Sequence, residues 1–181
     1  MDIEEKRKIA FKMTVRAVEP MEFINDYLYQ YPNIVDSAYL RSLYILLSYS
    51  FELILKSRVV MLTNVSDVNE LESKLKNLGH NLVEISNELG STELSDIEIK
   101  SIKFTEEKCN NPKNPKERHG YYRIEATSGK EIRIEDFNDI RYDFICERRR
   151  NIDNEEHKRI IGYIEVMSEI HRKVEVANNT H

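Results

Sequence analysis

After the first thirty residues, the pattern of hydrophobic and polar positions becomes much more apolar. Residues 34–62 are too apolar for an ordinary surface helix, yet their longest uncharged run, Ser42 to Phe51, is about half of the ~20 residues that crossing a membrane needs. The pattern predicts one continuous helix over residues 36–61 that is buried on most sides. Its predicted core positions are Leu43, Leu46, Leu47, Phe51 and Leu55.

Before this helix, the residues from Ile3 to Val18 predict an amphipathic helix. Its apolar positions are Ile9, Phe11, Met13, Val15 and Val18. We expect Pro20 to end it, because the residue before a proline disfavours the helical conformation. A short helix is then expected from Met21 to Tyr29.

Helical signals continue after residue 66. Asp67 is placed to cap a helix, with Glu70 in the capping-box position and an apolar stripe of Val68, Leu71, Leu75 and Leu78. Gly79 is expected to end this helix, and a short helix from His80 to Leu89 should end at Gly90.

Two more helices are predicted in the last third of the chain. Asp136 is placed to cap the first of them. The last helix is predicted from Asp153 to Val176, with Ile160, Ile161, Ile164, Met167 and Ile170 facing inward.

Between the helices the periodicity changes to that of strands. Residues 97–104 alternate but slip register between Ile99 and Ile102, which indicates a bulge or bend. Residues 106–120 are expected to form an exposed loop, and residues 121–135 a β-hairpin that turns at Ser128-Gly129. The predicted fold class is mostly α, a helical bundle around one long buried helix, with a small antiparallel β-hairpin insert at about residues 97–135.

Composition narrows the class of protein. The chain of 181 residues is 33% charged and 40% hydrophobic, which predicts one soluble globular domain. Two cysteines are too few for a disulfide framework, and the N-terminus lacks a signal-type apolar core, so we expect a cytoplasmic protein. A net charge of −5 gives no global attraction to nucleic acid. We expect neither a membrane nor DNA as a partner.

Few side chains indicate chemistry. Glu52 and Lys56 lie four residues apart on one helix face, where they form either a functional pair or a structural ion pair in a polar stripe facing Arg141. His80 either binds a ligand or partner, or has a structural role in which it caps a helix or bonds a neighbouring backbone. Cys109 and His119 are two ligands where zinc needs about four, so we expect no metal and no cofactor. The basic residues at 148–150, 158 and 159 form either a phosphate-binding strip or a solvated surface.

Three short motifs together resemble a known family. They are Glu52-x3-Lys56 in a long helix, Gly79-His80-Asn81-Leu82 before the next helix, and Ile140-Arg141-Tyr142 before the last one. This order is similar to bacterial and archaeal HEPN-like proteins, and the resemblance covers about residues 34–176. It implies a single HEPN-like helical bundle that often dimerises, and we expect a symmetric homodimer.

Many HEPN-like proteins are metal-independent ribonucleases, whose signature is an arginine, often followed by asparagine, and a histidine four to six residues further on. Arg150, Asn151 and His157 have this form. In that reading the histidine transfers the 2′-hydroxyl proton and the arginine stabilises the phosphate. The alternative is that these are surface residues at a helix start, where Glu155 and Glu156 repel RNA.

Two functions follow. The first, which we favour, is a non-catalytic HEPN-like module that binds a partner protein or a nucleotide. The alternative is an endoribonuclease of a prokaryotic defence or toxin–antitoxin system. The residues expected to bind in the first case are Glu52, Lys56, His80 and Arg141. Those expected to catalyse in the second are Arg150, Asn151 and His157.

Overall fold

A computed structural model describes residues 1–31, 37–108, 118–136 and 155–180. These residues form five helices and three strands. The elements in chain order are α1 (Ile3–Gln30), α2 (Ser37–Leu62), α3 (Val68–Leu78), α4 (Leu82–Asp96), β1 (Ile99–Lys108), β2 (Arg118–Ala126), β3 (Glu131–Glu135) and α5 (Glu155–Thr180). The predicted class, mostly α with a small antiparallel β insert, is confirmed.

The long apolar segment forms α2, as predicted. It contains no glycine or proline, and Leu43, Leu47, Phe51 and Leu55 are buried. Leu46 is only half-buried, contrary to the prediction, because it lies about 100° around the helix from Leu47 and so at the margin of the core face. Each fully buried leucine or phenylalanine stabilises the fold by roughly 1.5–3 kcal/mol, so α2 is the central element.

The N-terminal helix differs from the prediction. α1 continues through Pro20 to Gln30, so the expected break there was wrong. Its buried face is Ala10, Thr14, Ala17, Met21, Ile24 and Leu28. This seam runs past Pro20 without interruption, and its packing against α2 compensates for the hydrogen bond that proline cannot donate. Phe11 and Val15, predicted as apolar positions of the helix, are exposed on the opposite side because small residues form the seam.

α3 begins and ends at the predicted capping residues, whereas α4 begins at Leu82, not His80, and extends past the predicted end at Gly90 to Asp96. The Asp67 side chain accepts a hydrogen bond from the Glu70 backbone N–H at 3.0 Å, but Glu70 accepts from the Ser66 N–H instead of that of Asp67. Gly79 ends α3, and Val68 of the predicted stripe is exposed. Gly90, with φ 78° and ψ 164°, interrupts α4 as a kink, after which the helix resumes.

The three strands form one antiparallel sheet in the order β1-β2-β3. The predicted register slip is a β-bulge between Ile99 and Ser101. The predicted hairpin joins β2 and β3, and Gly129, with φ 82°, provides the left-handed residue of its turn. β1 extends to Lys108 and β2 begins at Arg118. Residues 106–108 and 118–120, predicted as parts of an exposed loop, therefore belong to strands.

α5 packs against α1, α2 and β3. Its inward residues Ile160, Ile164, Met167 and Ile170 are buried as predicted, whereas Ile161 is half-buried at the core margin. The main core also includes residues from α4 and the sheet, namely Leu82, Ile85, Ile97, Ile99, Ile124 and Ile132. The helix expected after Asp136 lies outside the described residues.

Candidate functional site

A row of polar side chains crosses the apolar helix α2. Tyr44, Ser48, Glu52 and Lys56 follow one another at intervals of four residues and are all buried. This spacing places them along one side of the helix. We call these four residues the polar stripe. Because buried polar groups require partners, the contacts of the stripe define what the surrounding elements must supply.

Glu52 is the centre of the first group of contacts. Its Oε1 lies 2.8 Å from Lys56 Nζ, and its Oε2 lies 2.7 Å from His80 Nδ1. Lys56 Nζ also donates to the backbone carbonyl of Gly79 at 2.6 Å. The structure therefore brings together three predicted binding residues, and both oxygens of the Glu52 carboxylate have a nitrogen partner.

Local capping positions His80 above Glu52. Gly79 ends α3 with φ 54°, and its N–H donates to the Lys76 carbonyl. Asn81, not His80, caps α4, because its Oδ1 accepts from the N–H groups of Val83 and Glu84 at 3.0 and 3.3 Å. His80 therefore lies between Gly79, the C-cap of α3, and Asn81, the N-cap of α4. Its side chain is 44% exposed, whereas that of Glu52 beneath it is 8% exposed.

A second group of contacts lies at the end of β3. Ser48 Oγ donates to the backbone carbonyl of Glu135 at 3.1 Å. The buried Glu135 carboxylate binds His119 Nε2 through one oxygen and Arg133 Nε, at 3.1 Å, through the other. Arg133 also lies over the Tyr121 ring, 3.6 Å from its centroid. The stripe is therefore linked to the sheet through a buried carboxylate that has both a histidine and an arginine partner.

Two tyrosines complete the arrangement. Tyr44 donates its hydroxyl hydrogen bond to Glu156 on α5, and Tyr122 donates to Asp136 at 3.0 Å. Burial, and then the charge of Glu156, raise the pKa of Tyr44 well above its ordinary value. Burial and the charge of Asp136 do the same to the pKa of Tyr122. Both phenols therefore stay protonated, as hydrogen-bond donors, above the pH at which an ordinary tyrosine ionises.

The predicted catalytic residues are only partly described. His157 lies in the first turn of α5 and is half-buried, and its Nδ1 is buried without a hydrogen-bond partner in the described part of the chain. The neighbouring cations of α5 form ion pairs, Lys158 with Glu155 at 3.0 Å and Arg159 with Glu156 at 2.6 Å. Arg141, Arg150 and Asn151, together with Cys109, lie outside the described residues.

Sequence reasoning missed the group around Glu135. His119 and Tyr121 alternate along β2, and Tyr121 pairs with Glu135 across the hairpin, so His119 is diagonal to that carboxylate. Once the hairpin is recognised, this diagonal is the signal that identifies the contact. The spacing that joins Tyr44 and Ser48 to Glu52 was equally available in the sequence.

Within residues 1–31, 37–108, 118–136 and 155–180, no three His, Cys, Asp or Glu side chains are grouped so that they could hold a metal ion. None of the helices in those ranges has both the length and the apolar character needed to cross a bilayer.

The chain was also compared with known proteins. No protein-family model, no curated protein and no solved structure matches it. The resemblance to HEPN-like proteins therefore stays a prediction.

Proposed function

We propose that this chain is a non-catalytic HEPN-like interaction module that binds a partner protein through the surface around His80. The observation that carries the proposal is the pairing of Glu52 on both oxygens, with Lys56 and with His80. A carboxylate engaged in this way holds an imidazole in position and is poorly placed to accept a substrate proton. The network thus supports a positioning role.

The cost of the network supports the same role. A buried ion pair such as Glu52–Lys56 contributes little net stability compared with apolar residues of similar size. Here the pair fixes the orientation of a histidine whose side chain is 44% exposed. A surface residue that is already ordered loses little conformational entropy when a partner binds. The burial of these two charges, which adds little stability, is therefore consistent with a role in preorganising His80 as a contact residue.

A protein fits this surface better than a nucleotide. Near His80, Lys76 pairs with Glu72 at 3.2 Å and Lys74 pairs with Glu88 at 2.5 Å. These lysines already have carboxylate partners, and the chain as a whole carries a net charge of −5. A nucleotide phosphate would have to displace those carboxylates, whereas a protein surface of mixed charge need not.

Site-specific cross-linking tests the proposal. A photoreactive amino acid at the exposed Asn77 position, close to His80, should capture a defined protein from an extract of the source cells. The captured band should disappear with His80→Ala, a change at a largely exposed side chain, and persist with Lys103→Ala, a matched change on the exposed side of β1. If both variants capture the same proteins, His80 is not the contact. A band lost only after added nucleotide would favour the nucleotide ligand instead.

A second candidate function is supported by one observation, the buried Nδ1 of His157 without a hydrogen-bond partner in the described residues. A histidine nitrogen that is not engaged elsewhere can take or give a proton when a substrate hydroxyl reaches it. Its position in the first turn of α5 matches where the resemblance to HEPN-like ribonucleases places the catalytic histidine. In this alternative, Arg150 and Asn151 would act beside it on the RNA phosphate.

Metal-free RNA cleavage distinguishes the two functions. An RNA-cutting enzyme of this type should cleave single-stranded RNA in EDTA and leave cyclic phosphate or 3′-phosphate ends. Arg150→Ala and His157→Ala should abolish cleavage without changing the melting temperature, and Arg123→Ala on β2 should not affect it. Because general acid–base catalysis contributes ~10²–10⁴-fold, the effect of His157→Ala would be plain. Absence of cleavage, or equal cleavage by all the variants, excludes the ribonuclease.

A further inference from the structure

The side of α1 that faces away from α2 is exposed and carries both aromatic and charged residues. We call it the α1 outer face, and it consists of Lys8, Phe11, Lys12, Val15, Arg16, Glu19, Glu22, Phe23 and Asp26. Phe11 is 64% exposed and Phe23 is 56% exposed. Exposed aromatic side chains flanked by charged residues are typical of protein interaction surfaces.

The charges of this face are separated along the helix. The cations Lys8, Lys12 and Arg16 occupy its first half, and the anions Glu19, Glu22 and Asp26 occupy its second half. Within the described ranges none of these six has an ion-pair partner. Like charges four residues apart repel one another, as Lys8 repels Lys12 and Glu22 repels Asp26. The arrangement is therefore unfavourable for an isolated α1.

We propose that a second copy of this chain packs its own α1 antiparallel on the α1 outer face. The two copies are related by a two-fold axis that crosses this face at the level of residue 17 along the helix. Such an axis places residue n of one copy opposite residue 34 − n of the other. Lys8 then lies opposite Asp26, and Lys12 opposite Glu22. Phe11 and Phe23, equally far from position 17, lie about 120° apart around the helix and so flank the charged residues on the two edges of the face.

The occupant is a second copy because the face is complementary to itself. A two-fold interface uses the same patch on both partners, so a cation is paired when an anion lies at an equal distance on the other side of the axis, as holds for two of the three cations. Lys8 and Asp26 are each nine residues from position 17, and Lys12 and Glu22 are each five residues from it. The paired region spans about 27 Å along α1, at 1.5 Å per residue.

This inference does not depend on the proposed function. α1 precedes residues 34–176, to which the resemblance to HEPN-like proteins applies, and the surface around His80 lies between α3 and α4. The two proposals rest on different residues, so failure of either would leave the other standing.

Charge reversal provides the experiment. Sedimentation equilibrium of the full chain at about 50 μM, well above the dissociation constants of stable dimers, should show a dimer. Lys12→Glu alone and Glu22→Lys alone should each weaken it at least about tenfold, because each change places like charges opposite one another twice per dimer. The double variant, Lys12→Glu with Glu22→Lys, should restore the dimer.

Mixing the two single variants gives the sharpest result. In a mixed pair every reversed residue faces an opposite charge, so two chains that no longer self-associate should associate with each other. Lys103→Glu on β1, an equal charge change away from α1, serves as the control and should leave the wild-type dimer intact. A monomeric wild type, single variants that dimerise as well as wild type, or failure of the mixture to associate overturns the proposal.

Discussion

The Arg58 guanidinium on α2 donates two hydrogen bonds to one carboxylate oxygen of Glu93 on α4, from Nε at 3.0 Å and from Nη2 at 2.7 Å. Its Nη1 donates to the Ala177 carbonyl at 3.0 Å and to Asn178 Oδ1 at 3.4 Å. The last turn of α5 contains no basic residue of its own. Arg58 therefore supplies the positive charge that stabilises the C-terminal end of α5, and it joins three helices.

Arg58→Ala should be strongly destabilising. Arg58 is 2% exposed, and its loss would leave Glu93, the Ala177 carbonyl and Asn178 Oδ1 without this donor. We expect the free energy of unfolding in urea to fall by about 3 kcal/mol, as when one partner of a buried pair is removed. Arg123→Ala, which breaks an exposed pair with Glu131 that solvent screens, should have a much smaller effect. Equal losses for the two variants would contradict the assignment.

Removing the charge of Glu52 should leave a buried lysine without its counter-charge. Glu52→Gln should reduce the free energy of unfolding by about 3–5 kcal/mol. Adding Lys56→Met to this variant should recover much of the loss, because methionine needs no carboxylate partner. If urea unfolding finds the double variant less stable than Glu52→Gln alone, Lys56 does not depend on Glu52 for its burial.

The burial of α2 gives a direct test of the core. Leu47 is fully buried, so Leu47→Ala should lower the free energy of unfolding by about 2–5 kcal/mol. Leu62→Ala, at the exposed end of the same helix, should have a much smaller effect. A loss below about 1 kcal/mol for Leu47→Ala would remove this residue from the core.

Alkaline pH should destabilise the fold through its buried tyrosines. An unfolded tyrosine loses its proton near its ordinary pKa of 10.0, whereas the raised pKa values of Tyr44 and Tyr122 keep both protonated to higher pH in the folded chain. Their contribution to stability is therefore complete below pH 10.0 and falls as pH rises, by about 1.4 kcal/mol per pH unit for each tyrosine.

The measurement is urea unfolding as a function of pH, with tyrosinate absorbance recorded alongside. Tyr44→Phe with Tyr122→Phe should make the alkaline loss of stability shallower than in the wild type. Ionisation of all the tyrosines near pH 10.0, while the helical circular dichroism persists, would show that burial does not protect these two.

Pro20 offers a stabilising substitution. Proline inside a helix lacks the N–H that would bond to the carbonyl four residues earlier, here that of Arg16. Pro20→Ala should restore this bond and raise the free energy of unfolding by about 1–2 kcal/mol, after allowance for the greater freedom of the unfolded chain. An unchanged or lower urea midpoint would indicate that α1 is already adapted to the proline.

The periodic elements of this fold were predictable because local chemistry determines them. The glycine-containing hairpin turn, the bulge at Ile99 and the unbroken apolar run of α2 each depend on residues adjacent in sequence. The prediction that Pro20 ends the first helix was wrong because the packing of α1 against α2 outweighs the local preference of proline for a helix end. For the same reason Phe11 lies outside: the narrow seam between α1 and α2 accepts Ala10 and Ala17, which no periodicity in α1 alone reveals.

The candidate site was predictable only within single elements. The four-residue spacing of Glu52 and Lys56 indicated a shared helix face, and their pairing followed. The partnership of Glu52 with His80 depends on how α3 and α4 turn back onto α2. That of Tyr44 with Glu156 joins positions that are 112 residues apart in sequence. Contacts of this kind are decided by the tertiary fold.

The sheet has one further consequence, which concerns how the chain behaves in crowded solution. In the described part of the structure, β1 is bonded to β2 on one side only, so its other edge presents backbone groups that could pair with a strand of another molecule. Lys100, Lys103, Glu106, Glu107 and Lys108 are exposed along this strand, and the bulge at its start disturbs its regularity. A neighbouring strand would have to bring its own charges against these and follow a bent edge. The strand therefore resists edge-to-edge aggregation, even though exposed Phe104 would otherwise favour it.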